Sequence, residues 1–146
     1  MLKERKKTNM TDKQYRAYKY LSRLWRIKRE IQDKEDELKS IGLASGIRYD
    51  RINVQITPSD PMERVSDLIG EIQQEKETYL RMQHKMINEI HGLEDHVCEQ
   101  ILVDRFIHGR SMKQICIRHN YSSTTGYRLF CKALDTFEKK YGNKWE

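Results

Sequence analysis

Leu93-Glu94-Asp95-His96-Val97-Cys98-Glu99-Gln100-Ile101-Leu102-Val103-Asp104-Arg105-Phe106-Ile107-His108-Gly109, then Arg110-Ser111-Met112-Lys113-Gln114-Ile115-Cys116-Ile117-Arg118-His119-Asn120-Tyr121, then Ser122 onward to Tyr141, is the stretch whose reading decides the fold. It predicts three helices, the last two joined as a helix-turn-helix. Gly109 stops the first, because glycine takes a left-handed C-terminal position without penalty. Ser111 and Gln114 make a capping box that starts the second. A turn follows at His119-Asn120-Tyr121, with Asn120 where a left-handed residue is needed. Ser122 caps the last helix.

Spacing adds to the caps. Ile115 anchors the second helix in the core, and Cys116 beside it is small, as needed where two helices approach closely. Tyr121 can plug the core after the turn. Leu129, Ala133 and Leu134 recur at helical spacing on the last helix, and Phe130, Leu134, Phe137 and Tyr141 should face inward. Two positions depart from the pattern. His119 stands where an apolar residue is usual and reads as a core or turn residue. Gly126 stands inside a helix, at a cost of roughly 1 kcal/mol against Ala.

Ile101-Leu102, Arg105-Phe106-Ile107, Ser111-Met112, Gln114-Ile115, Tyr121-Ser122 and Lys132-Ala133-Leu134 resemble the fourth region of bacterial sigma factors, the helix-turn-helix that reads the upstream promoter element. More closely, the chain resembles the small sigma-region-like regulators of phages and prophages of Gram-positive bacteria, including late-gene activators of the ArpU and RinA type. The resemblance runs without gaps from Ile101 to Leu134 and more loosely back to Tyr49. His119, Gly126 and the uncharged Ser123-Thr124-Thr125 depart from it. It implies promoter recognition for late or packaging genes and contact with bacterial RNA polymerase.

The chain has 146 residues, 34% charged and 37% hydrophobic, which suits elongated helices around a modest core. Its formal net charge of +6 permits an acidic partner. Residues 1–40 hold 13 basic and 7 acidic side chains, residues 61–100 hold 4 and 9, and residues 101–146 hold 9 and 4. The helix-turn-helix is therefore locally basic, as a DNA reader should be. Cys98, Cys116 and Cys131 show no paired spacing and read as buried small hydrophobes in a reducing cytosol. Ile101-Leu102-Val103 is the longest aliphatic run, far short of the roughly 20 residues that span a bilayer. With a charged start in place of a leader, a soluble intracellular protein with no membrane partner is expected; the resemblance implies the cytoplasm of a bacterial host cell.

Taken in order, Met1 to Met10 reads as a disordered basic tail. Thr11 and Gln14 make a capping box that opens a long helix. Ala17, Tyr20, Leu24, Ile27, Ile31, Leu38 and Ile41 form its seam, broken at Lys34, and Gly42 ends it. Residues 42–60 read as a linker, with Ile52, Val54 and Ile56 alternating as a short extended segment. Asp60-Pro61-Met62-Glu63 starts a second long helix. Val65, Ile69, Ile72, Tyr79, Met86, Ile90 and Leu93 form its seam, broken at Lys76 and Gln83; Gly92 bends or ends it. Folded antiparallel, the pair would set residue 27 near residue 76, basic half against acidic half. The expected fold is thus all-α: a helical hairpin over residues 11–92, for oligomerisation or partner docking, then a helix-turn-helix DNA-binding domain over 93–146. The seams suit an intrachain hairpin or a dimer; a homodimer that also contains the hairpin is the expectation. Tyr15, Tyr18, Tyr20 and Trp25 among basic residues could bind nucleic acid. The blander expectation is a solvated face neutralised by the second helix.

The candidate contacts to double-stranded DNA follow from the motif. Ser123, Thr124 and Thr125 occupy the first turn of the last helix, with Tyr127 and Arg128 one turn on and Lys132 beyond. Arg128 is the candidate for guanine, since its planar fork matches two acceptors; the rival is an ion pair with Asp135 or Asp104. Lys113, Arg118 and Lys132 suit phosphates, with Arg110, Gln114 and Ser122 beside them. No catalytic residues, cofactor or metal are expected. His91, His96 and Cys98 fit no zinc spacing, and Gly109-Arg110-Ser111 lacks the lysine of a phosphate loop. The other function classes are a phage small terminase subunit, which also joins a helix-turn-helix to an oligomerising hairpin, and a structural adaptor with a vestigial DNA motif.

Overall fold

The computed structural model describes residues 10–45 and 61–145. All the regular structure in them is helical: α1 (Asp12–Leu21), α2 (Arg23–Ser45), α3 (Pro61–His91), α4 (His96–Leu102), a π-helical turn (Val103–Ile107), α5 (Met112–His119), α6 (Ser123–Tyr141) and a closing 3-10 turn (Gly142–Trp145). Residues 1–9 of the basic tail expected over Met1 to Met10, the extended signature at Ile52, Val54 and Ile56, and the cap at Asp60 lie outside the described residues.

The first long helix is two. Thr11 and Gln14 form the expected capping box, but the helix breaks at Ser22. There the serine hydroxyl donates to the Lys19 carbonyl at 3.2 Å, and Trp25 N–H turns back to the Ser22 carbonyl at 3.0 Å. A serine that competes for backbone partners loosens a helix at its own position. α2 then runs past Gly42 to Ser45, since one glycine costs a helix too little to end it. The stretch from Leu93 is also shorter than one helix. α3 ends at His91, and Asp95 caps α4 by accepting from Val97 N–H at 3.0 Å and Cys98 N–H at 3.2 Å. α4 relaxes into the π turn, where His108 N–H reaches the Val103 carbonyl. Gly109 follows at φ 69°, the left-handed stop its identity implied.

Two compact units result, and their limits are not those of the sequence reading. One joins the segment up to Trp25 with Met82 onward; the other is Arg26–Arg81. α1 belongs with the C-terminal helices because its aromatic face is core. Tyr18 meets Trp25, Phe106 and Phe130 edge-on at 5.7–6.5 Å, and Trp25 stacks on Phe106 at 5.0 Å. Tyr20 stacks on Trp145 at 4.6 Å. Polar contacts pin α1 to α6: Gln14 Nε2 donates to Asp135 at 2.8 Å and Arg16 Nη1 to Glu138 at 3.0 Å. Ala17, Leu21, Ala133, Leu134 and Phe137 are sealed beneath. The basic, aromatic first helix is therefore a packing element. Its Tyr18 and Tyr20 rings pack on Phe106, Phe130, Phe137 and Trp145, and Arg16 pairs with Glu138 of α6.

In the other unit Ile31, Met62, Val65, Leu68 and Ile72 are buried. Two of the polar residues that break the seams have acid partners: Lys34 meets Glu75 at 2.5 Å and Glu71 at 3.2 Å, and Lys76 meets Glu35 at 3.2 Å. Arg64 holds Glu37 through two nitrogens at 2.9 and 3.0 Å, which keeps the Glu37 carboxyl below its usual range. These pairs run in opposite senses along α2 and α3. They set residue 76 opposite residue 35, two turns from the expected residue 27.

Candidate nucleic-acid interface

α5, a turn and α6 carry the sequence-derived site. Ser111 Oγ accepts from Gln114 N–H at 3.2 Å, and Gln114 Oε1 accepts from Ser111 N–H at 3.0 Å. Ile115 is fully buried. Asn120 sits at φ 62°, ψ 41°, and its N–H closes α5. Tyr121 N–H donates to the Cys116 carbonyl at 2.8 Å, and the Tyr121 ring stacks on His119 rather than entering the core. Ser122 Oγ then accepts from Thr125 N–H at 3.1 Å and opens α6.

Gly126 has a structural cause. A β-carbon there would fall on Cys116 Sγ and against Tyr121 Cβ. The two helices meet at this point, so a small residue on α5 faces the absence of a side chain on α6.

Of the candidate residues, Lys113, Gln114, Arg118, Ser122, Ser123, Thr124, Arg128 and Lys132 are exposed. Thr124, Arg128 and Lys132 recur every four residues and so form one stripe along α6. Lys132 lies 3.7 Å from Asp95 and stays 63% exposed. Among the described residues Arg128 has no ion-pair partner. Asp135 is engaged by Gln14, and Asp104 by other groups.

Three candidates are drawn away from the stripe. Arg110 is bound to Asp104 at 2.6 Å, and Thr125 is half-buried. Tyr127 turns inward. Its ring lies 6.5 Å from Phe130, and burial, with the Cys131 thiol beside it, pushes its hydroxyl up to about 12. Its hydroxyl is not placed to reach a base.

Asp104, expected only as a rival partner for Arg128, instead holds Arg110 and His119. It is 7% exposed and accepts from Arg110 Nη1 and His119 Nε2, each at 2.6 Å, with Arg118 Nε at 3.9 Å. It ties the π turn to the C-terminal end of α5. The signal was there to be found: Asp104 is the only acid between Ile101 and Leu134, among six Lys and Arg residues. His119 occupies its usually apolar position by satisfying this carboxylate.

Cys98, Cys116 and Cys131 are free thiols, and burial raises Cys98 and Cys131. His91 pairs with Glu99. Among the described residues no cluster of His, Cys, Asp or Glu could hold a metal ion, and no helix is long and apolar enough to cross a membrane. No family model, curated protein or solved structure matches the chain.

Proposed function

We propose that the protein is a sequence-specific DNA-binding transcription regulator of the phage and prophage type, working in the cytoplasm of a bacterial host cell. In this reading α5 and α6 are its helix-turn-helix, and α6 lies in the major groove. One observation carries it: the stripe Thr124, Arg128, Lys132 stands exposed on the helix that follows a left-handed Asn turn, and Ser123, Lys113 and Arg118 are exposed as well. The first turn of α6 offers backbone N–H groups and short hydroxyls, which suit phosphate and base edges. Arg128, without a carboxylate partner, is free to offer its fork to guanine. Lys113, Arg118 and Lys132 supply phosphate contacts. α2 and α3 are the surface for homodimerisation or for bacterial RNA polymerase. The activity is recognition, not catalysis.

Selection of bound sequences from random duplex DNA tests this reading. A single recovered motif is expected, with affinity falling steeply in salt. Neutralising about five phosphates gives a log–log slope of roughly −4 to −5. Failure to shift any duplex at low salt refutes the reading. A role in DNA packaging, as in a small terminase subunit, is the competing use of the same parts. It requires a ring of many copies, where regulation requires a monomer or dimer, so the mass in solution separates them.

A further inference from the structure

A cleft of about 430 Å³ opens in the unit that contains α1 and α6. Its walls are aromatic. Tyr15 and Tyr18 of α1 lie nearly parallel, 6.5 Å apart, and Tyr127 and Phe130 come from α6. Met10 and Met112 line it too, and thioether chains adapt to the shape of a guest. The lining holds one charge, Arg105 of the π turn. The Arg105 guanidinium lies 4.4 Å from the centre of the Trp25 ring, and its Nη1 donates to the Arg110 carbonyl at 3.1 Å. Among the described residues no carboxylate pairs with the guanidinium. The one cation beside the aromatic walls is therefore only part satisfied by the protein.

We infer that this cleft is a binding site for a small planar aromatic anion, its ring among the tyrosines and Phe130 and its acid group on Arg105. The volume lies in the range of small-molecule sites, which are mostly apolar with a few polar anchors. Aromatic walls favour a flat aromatic guest through offset and edge-to-face contacts. A guanidinium without a carboxylate partner selects an anion over a neutral molecule of the same shape. The site is separate from the exposed stripe on α6 and does not depend on its function.

Two fluorescent probes test this on the full chain without DNA: 8-anilinonaphthalene-1-sulfonate and its uncharged relative N-phenyl-1-naphthylamine. Saturable binding of one sulfonate per chain is expected, with quenching of tryptophan emission because Trp25 stands against Arg105. The neutral probe should bind at least tenfold more weakly. Met112→Trp, which fills the cleft from its side, should weaken the sulfonate tenfold while the melting temperature holds. Equal affinity for the two probes, non-saturating binding, or full sulfonate affinity in a folded Met112→Trp variant overturns the inference. The probe comparison needs no variant, so it decides the matter even if the substitution disturbs folding.

Discussion

Cys116 Sγ on α5 fills the space that a β-carbon on residue 126 of α6 would need. In an ordinary exposed helix, Gly→Ala stabilises by about 1 kcal/mol. At this contact the sign reverses. Gly126→Ala should destabilise by about 1–3 kcal/mol, the usual cost of overpacking a well-filled site. Adding Cys116→Ala should return part of the loss, because the clash needs both side chains. Urea denaturation of the two single variants and the double variant measures the coupling. A stabilising Gly126→Ala contradicts the contact.

Much of this was legible in the sequence, for reasons that differ by element. The caps at Thr11, Ser111 and Ser122, the left-handed Asn120 and the stop at Gly109 were readable because each is a local backbone requirement met by one residue type. The seams were readable in part from periodicity: Ile31, Val65 and Ile72 are buried, but so is Leu68, while its neighbour Ile69 is only half-buried; Lys34 and Lys76, which break the seams, are paired with acids. What was not readable depends on residues far apart in the chain. α1 and the first turn of α2 looked like the start of a coiled coil, yet Tyr18, Tyr20 and Trp25 pack on Phe106, Phe130 and Trp145. Tyr127 looked like a base contact because helical spacing alone does not show that its hydroxyl is buried. The register of α2 against α3 differed from the expected one, and no local rule names a cross-helix partner such as Glu37 for Arg64.

Asp104 should matter to stability more than its place on a polar-looking helix suggests. Asp104→Ala removes the acceptor of both Arg110 and His119, so a loss of about 2 kcal/mol is expected, within the range for hydrogen bonds to charged groups. His119→Phe keeps a ring against Tyr121 and should lose about 1 kcal/mol. Chemical denaturation checks both. An Asp104→Ala effect within about 0.5 kcal/mol, the range of ordinary surface changes, would mean the network is not holding α5.

Asp95 gives a pH dependence of known sign. The Cys98 N–H, before any other cause, holds its carboxyl below the ordinary value of 3.8. A depressed carboxyl contributes stability that is fully present above its unfolded value and is lost as pH falls through the lower folded one. The start of α4 should therefore loosen only below about pH 4. Asp95→Asn keeps a capping oxygen without the charge, so it should flatten this part of the acid profile. An unchanged acid limb of the circular dichroism titration in Asp95→Asn would count against the cap.

Ile31 tests the other unit by itself. It is 8% exposed, and Ile31→Asp should cost about 3 kcal/mol or more, from a lost buried side chain and an unpaired charge. Both tryptophans, Trp25 and Trp145, lie in the unit that holds α6. Helicity should fall, then, while tryptophan emission at low urea stays as in the unmodified protein. A simultaneous shift in emission would show that the two units do not hold their structure separately.

Reading of sequence by α6 is tested most directly by comparing Arg128→Ala and Lys132→Ala on the selected DNA site and on random duplex at one fixed salt concentration. If Arg128 reads a base, its removal should cost about 1–3 kcal/mol on the selected site, spare random DNA, and relax preference at a single position. Lys132→Ala should weaken both duplexes alike. Equal loss on selected and random DNA for Arg128→Ala would contradict the account.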